Sequence, residues 1–382
     1  MFFGTAGSSI SMTSEPLISQ TIETRVPGVI QDLDSSGLEA ILVDPLQDPA
    51  WDRLAHSHPK STAFHSAAWA EVLVKSYRHK PFYLHFLRRG KTVALLPFME
   101  VCSTFTGRRG VCLPFSDFCD PLIFDEYESR IGMQKLAALA RERNWKYFEV
   151  RSGETHGDEN ERASTFYGHE LDLRGGIAEV TSRFASSVRR AIRKGEKSAL
   201  VTQTDCSRAA VLEFYELHVR TRRRHGIPPQ PLSFFLNIHE SILKPGKGFL
   251  VLARRESKPV AAAVFFQWGK NALYKFGASD ETMQEFRGNN IVIWEGIQFL
   301  VQQNAESLHF GRTSLDNNGL RQFKLSWGAE EKPIQYFRFE TVTGGRFSER
   351  SGRGAGFHKR IFSRLPLALN RLAGSMVYPH LD

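Results

Sequence analysis

The chain has 382 residues, too many for one ordinary domain and enough for two. With 41% hydrophobic and 24% charged residues it has the composition of a globular protein with its own core, which excludes a fibrous, disordered or disulfide-stapled chain. A net charge of +9 points to an anionic partner: a phosphate-rich cofactor, RNA or a membrane surface.

Residues 1–37 are expected to form a flexible leader. Met1 to Thr24 contains no Lys or Arg and no apolar h-region, so it does not read as a secretory signal. The longest nearly uncharged apolar run, Pro259 to Trp268, is too short to span a bilayer. Cys102, Cys112, Cys119 and Cys206 make no C-x-x-C pair and have no histidine pair to complete a zinc site. Reduced, mostly buried thiols are expected, and with them a cytoplasmic location.

Phe82 to Leu87 and Val93 to Val101 read as two strands around the charged turn Arg88-Arg89-Gly90-Lys91. A helical stretch, Glu126 to Asn144, leads into the strand Trp145 to Arg151. Ser198 to Thr204 is a strand and Ala209 to Arg223 a helix. After Pro228-Pro229-Gln230-Pro231, which cannot be helical, Phe234 to Leu243 is a second helix. A second hairpin follows, Phe249 to Ala253 and Pro259 to Trp268 around Arg254 to Lys258, and then the strand Ala272 to Gly277. Helix, strand, helix and strand close the series at Asn290 to Asn304, Leu308 to Gly311, Asn318 to Trp327 and Ile334 to Glu340.

Two features recur at nearly one offset. The hairpin tips Arg88 and Arg254 lie 166 residues apart, and the strand-ending Arg151 and Arg312 lie 161 apart. Such a period predicts two similar domains, over 38–197 and 198–345, joined near 195–205. Beyond them, 346–382 is a basic tail: Arg346 to Lys359 is Gly- and Arg-rich, and Ile361 to Val377 forms a short apolar helix. That helix packs on the domain or rests on an anionic membrane face, as a peripheral contact at the inner face.

Several segments resemble a known group. Leu273-Tyr274-Lys275-Phe276-Gly277-Ala278, Arg287-Gly288-Asn289-Asn290 with Trp294-Glu295-Gly296, and Phe310-Gly311-Arg312-Thr313 are similar to the core of the FemAB-like acyltransferases. So are Gly319-Leu320-Arg321-Gln322-Phe323-Lys324 with Trp327-Gly328, and, in the first half, Phe64-His65-Ser66 with Trp69 and Leu113-Pro114-Phe115-Ser116-Asp117. The likeness runs over roughly residues 38–345 and is nearest to the exopolysaccharide-associated members. It implies an α/β fold of tandem duplicated GCN5-related N-acyltransferase (GNAT) domains, each a mixed, largely antiparallel sheet flanked by helices. It also implies transfer of an acyl or aminoacyl group from acyl-CoA or aminoacyl-tRNA to an amine or amino-sugar acceptor, in cell-envelope or exopolysaccharide synthesis. No tightly bound cofactor and no metal is expected. The second reading is a catalytically inert GNAT fold that binds RNA or a polysaccharide-synthesis partner.

Acyl transfer to an amine needs held donor phosphates, a neutral nitrogen and hydrogen-bond donors for the oxyanion. Arg287, Gly288, Asn289 and Asn290 open a helix after a strand, where N–H groups and the helix dipole face an anion, with Asn289 or Asn290 as the cap. Arg312 and Lys324 supply cations for a donor phosphate or the oxyanion, and Asp316 between them takes the amine's proton. All three cations, Arg287, Arg312 and Lys324, are expected to converge on one donor site. Trp69, Asp117, Asp120 and Arg151 are the acceptor-side candidates. The run Gly352 to Gly356 follows no strand and is not a dinucleotide fingerprint, and no Walker sequence exists. If RNA carries the donor, Arg189, Arg190, Arg193 and Arg222 to Arg224 are expected on its phosphates.

Overall fold

The computed structural model describes residues 29–30, 37–125, 129–152, 162–341 and 355–382; most of the leader and of the Gly/Arg-rich stretch lie outside them. The first half opens with β1 (Val29–Ile30), β2 (Leu38–Val43), α1 (Trp51–His56) and α2 (Ala67–Tyr77). Strands β3 (Lys80–Pro81), β4 (Tyr83–Arg88), β5 (Lys91–Leu96), β6 (Met99–Ser103), β7 (Gly107–Val111) and β8 (Leu122–Ile123) follow. Then come α3 (Ser129–Glu142), β9 (Tyr147–Ser152), β10 (Arg162–Asp172), α4 (Gly176–Ser182) and α5 (Ser186–Glu196).

The second half runs β11 (Val201–Thr204), α6 (Arg208–Arg224), α7 (Leu232–Ile238), β12 (Gly248–Arg255), β13 (Lys258–Trp268) and β14 (Asn271–Ser279). It continues with α8 (Gly288–Gln302), β15 (Ser307–Ser314), α9 (Asn318–Ser326) and β16 (Glu330–Glu340), and α10 (Ala355–Arg364) and α11 (Leu367–Val377) end the chain.

Local chemistry sets these limits. Ser66, Ser207 and Asn317 accept a hydrogen bond from the third residue onward and so start α2, α6 and α9. Arg78 in the left-handed region stops α2. Both hairpin tips carry positive φ at their two central residues, Arg89 and Gly90 in one, Glu256 and Ser257 in the other. That is the turn whose twist suits a two-residue hairpin, and it recurs at equivalent places in the two halves.

An eleven-stranded sheet, ordered β11-β12-β13-β14-β15-β10-β16-β9-β7-β6-β3, runs through the molecule, and β1-β2-β4-β5-β8 form a second sheet. Each half lends its last strand to the other. β10 lies antiparallel between β15 and β16, and β16 lies antiparallel between β10 and β9. The flanking pairs match as well, since β7 runs parallel to β9 and β14 parallel to β15. A division at residue 197 therefore separates the sequence but not the sheet. Periodicity could not reveal this, because an exchanged strand has the same alternation as one paired at home.

Two cores result. Trp51, Phe64, Trp69, Phe86 and Phe148 share one with α6 and α7, so the halves are packed together rather than linked. Val180 of α4, Phe184 of the link after it, and Val188 and Ile192 of α5 share the other with Ile291, Ile297 and Trp327. Gly110 shows how tightly the first is filled: a Cβ there would lie 2.1 Å from the Trp145 ring, which is buried and anchored by its indole N–H on Glu100 at 2.7 Å. Gly110→Val is expected to cost about 1–3 kcal/mol, read as a lower urea midpoint with an unchanged slope.

Candidate active site

Strands β14 and β15 pair only over Asn271–Leu273 and Ser307–His309, and both continue well beyond, so they part. Each carries a bulge at the parting. In β14 the register passes from Tyr274 to Phe276 against consecutive residues of β13, leaving Lys275 extra. In β15, Phe310 and Gly311 stand against the single His169, and Gly311 has φ 73°, which glycine alone adopts freely.

The first half fills the space beside these bulges with the loop after β7. Leu113 and Phe115 sit at positive φ, and the Ser116 hydroxyl donates to the Leu113 carbonyl at 2.6 Å. Arg151 Nη1 donates to the Leu113 and Ser116 carbonyls, and the Tyr336 hydroxyl donates to the Asp117 carbonyl at 2.9 Å. Asp117 is thus fixed by both halves. Its carboxylate accepts from Lys275 Nζ at 2.9 Å, which also donates to the Phe115 carbonyl at 2.7 Å. Lys275 lies near the rings of Phe64, Phe276 and Trp69, at 4.9, 5.5 and 5.9 Å.

Lys324 is the one buried residue of α9. Its Nζ donates to the carbonyls of Gly311 at 2.8 Å and Arg312 at 3.1 Å, which uses two of the three ammonium protons. Burial pulls its pKa down to about 8, with Asp117 opposing and Lys275 reinforcing the shift. Burial by itself would raise Asp117, but Lys275 and Arg312 hold it down to about 2. Such a carboxylate stays charged and is a poor base. His309 accepts the Gly311 N–H at Nδ1, 2.9 Å, so its proton sits on Nε2, and burial lowers its pKa to about 3. It is a neutral donor.

The structure redistributes the expected residues. Asp316 stands exposed in the turn after β15, and the carboxylate near Arg312 and Lys324 is Asp117 instead, 195 and 207 positions away in the chain, a neighbour that spacing could not find. Arg312 lies over Phe166 at 4.4 Å and bonds the Tyr336 hydroxyl. Arg151, its counterpart, packs over the same Tyr336 ring at 4.8 Å and pairs with buried Glu149. Arg151 therefore positions the loop. Trp69 is fully buried among Phe64, Phe234 and Phe266 and forms a wall under Lys275. Asp120 holds His65 through its carbonyl and Ser152 through its carboxylate, and lines a cavity of about 300 Å³ with Thr62, Phe118, His309 and Ile334.

Arg287 does not join Arg312 and Lys324. It caps α8 by its backbone at φ 57° and lines a separate cavity of about 210 Å³ with Ser279, Asp280, Gly288, Asn289 and Asn290. No side chain caps this helix; Asn289 turns to Ser279 Oγ at 3.1 Å instead. The free helix end thus faces the cavity, with the N–H groups and dipole that suit a phosphate. Gly288 serves packing, since a Cβ there would lie 2.9 Å from Ala261. Lys275, Tyr336 and His309 escaped sequence reasoning, although a lysine between Tyr274 and Phe276 in an apolar strand is the signal that could have been weighed. Among the described residues no group of three or more His, Cys, Asp or Glu could hold a metal ion.

Residues 182–325 match the model of the Acetyltransferase (GNAT) domain family. Among solved structures, FemX superposes with a TM-score of 0.61 at 13% identity, over 78% of this chain and 97% of that one. The L-PGS from Bacillus licheniformis superposes with a TM-score of 0.50 at 12% identity, over 83% of this chain and 98% of that one. No curated protein sequence matches significantly. The chain has the GNAT fold, and residues 182–325 form the segment that resembles an acetyltransferase domain.

Proposed function

We propose that the protein is an N-acyltransferase that moves an acyl or aminoacyl group from a phosphate-bearing carrier to an amine. The division is into two GNAT-like domains, 38–197 and 198–345, with donor and transfer chemistry in the second and acceptor-side residues from the first. The observation that carries this reading is the Lys324 ammonium, buried at the Gly311 bulge with one proton left over, beside the charged pair of Asp117 and Lys275. The third N–H of Lys324 stabilises the oxyanion, and Asp117 orients the incoming amine as a fixed charge. The carrier's phosphates lie at the free end of α8, with Arg287. The envelope or exopolysaccharide setting rests on the sequence resemblance, and the inner membrane face is the place where such an acceptor would be met.

The carrier is a coenzyme A thioester or an aminoacyl-tRNA, and the basic surface distinguishes them. Arg189, Arg190 and Arg193 are exposed on α5, the helix whose Gly195 packs on Ile291 of α8. Arg222 leaves this surface, because it donates to Tyr378 at 2.7 Å, and Arg224 lies 3.9 Å from Glu281. With charged tRNA, Arg190→Glu with Arg193→Glu is expected to weaken binding about tenfold or more and to flatten its salt dependence. With a coenzyme A thioester, the same pair leaves turnover nearly unchanged. The true donor raises the melting temperature. If neither donor does so, the transferase reading falls and the inert-binder reading stands.

A further inference from the structure

Helix α11 is packed the wrong way round for a soluble protein. Its buried residues are Asn370 and Gly374, while Leu369, Leu372 and Met376 are 52%, 56% and 65% exposed. At 3.6 residues per turn those three side chains fall within about 60° of one another, opposite the buried pair. The orientation is held firmly. Arg371 donates to the Glu216 carboxylate at 2.7 Å, the Tyr378 hydroxyl accepts from Arg222 at 2.7 Å, and Arg109 bonds both Asp382 at 2.7 Å and the His380 carbonyl at 2.8 Å.

A second segment extends the apolar surface past the end of the helix. Phe105, in the turn between β6 and β7, is 80% exposed and meets the His380 ring edge-on at 4.8 Å, next to the exposed Leu381. Ile361 of α10 is exposed as well. The charge left unpaired by these contacts is positive: Arg360 and Arg364 are exposed on α10 and Arg108 beside the Phe105 turn, while Glu216 and Asp382 are taken up by Arg371 and Arg109.

We propose that α10, α11 and the Phe105 turn form a docking surface for an anionic lipid bilayer, independently of the transferase reading. Protruding apolar side chains flanked by exposed arginines match a yielding, negatively charged interface, which takes the apolar groups at the headgroup boundary and attracts the charges from outside it. Among the described residues no helix is long and apolar enough to cross a membrane, so the contact lies on the surface.

The test is sedimentation of the full chain with vesicles of phosphatidylcholine alone, or with about a third phosphatidylglycerol. Binding is expected on the anionic vesicles, weaker on the neutral ones and falling with salt. Leu372→Ser with Met376→Ser is expected to lower the bound fraction about tenfold, and Arg360→Glu with Arg364→Glu to do so on anionic vesicles only. These side chains are exposed, and an unchanged melting temperature confirms that the variants fold. Protein that stays in the supernatant at low salt overturns the proposal. So does concentration-dependent self-association that the serine pair abolishes without vesicle binding, because the surface then joins two copies of the chain.

Discussion

Replacing Lys324 with alanine is expected to lower kcat/KM for acyl transfer ten- to hundred-fold, the loss of one charge-assisted hydrogen bond of about 1.5–3 kcal/mol in the transition state. Lys324 works as a cation in this mechanism, and its pKa is held at about 8. The sign follows directly: the competent, protonated form is full below that value and is lost as pH rises through it. The rate should therefore fall on the alkaline side with the loss of one proton, and Lys324→Arg should move that limb upward. Arg254→Ala, near the end of β12 where Arg254 pairs with Glu213, is the control and should leave the rate within about twofold. A rate that rises through pH 8 and stays up, or equal losses at the two positions, would remove Lys324 from the oxyanion.

The largest effect on stability is expected from Lys275→Met. The side chain of Lys275 is only 7% exposed, and its loss leaves Asp117 with no direct ion-pair partner and the Phe115 carbonyl without its donor. Breaking a buried pair from one side costs about 3–5 kcal/mol. Asp117 is held down to about 2 from its ordinary 3.8, so its contribution is complete above the ordinary value and is lost as pH falls toward 2. The gap between wild type and Lys275→Met should accordingly narrow on acidification. Asp117→Asn closes a double-mutant cycle measured by urea unfolding, with an expected coupling of about 1–3 kcal/mol. Simple additivity would show that the two charges do not support each other.

Both experiments probe residues that the chain brings together from far apart, and this marks the limit of sequence reading. The order of strands and helices in the second half follows from alternation, helical periodicity and turn residues, which are properties of neighbours in the chain. The duplication follows in the same way, because two charged turns interrupt two apolar strand pairs at one offset, and in the structure Arg88 and Arg255 head turns of one geometry. Lys324 and the start of α8 could be singled out, since a lysine beside Phe323 on a short helix and Arg287-Gly288-Asn289-Asn290 after a strand are local patterns. What acts on Lys324 could not. Its carboxylate neighbour is Asp117 rather than the nearby Asp316, because β10 and β16 exchange places and bring the loop after β7 against the bulges of β14 and β15. The same exchange sends Arg151 and Arg312 to one tyrosine and leaves Arg287 at another cavity. Pattern fixes what a segment becomes, because backbone preference and side-chain spacing act over a few residues. Which charges meet is decided by strand order, where burial makes any unpaired charge too costly and only the complete sheet determines its partner.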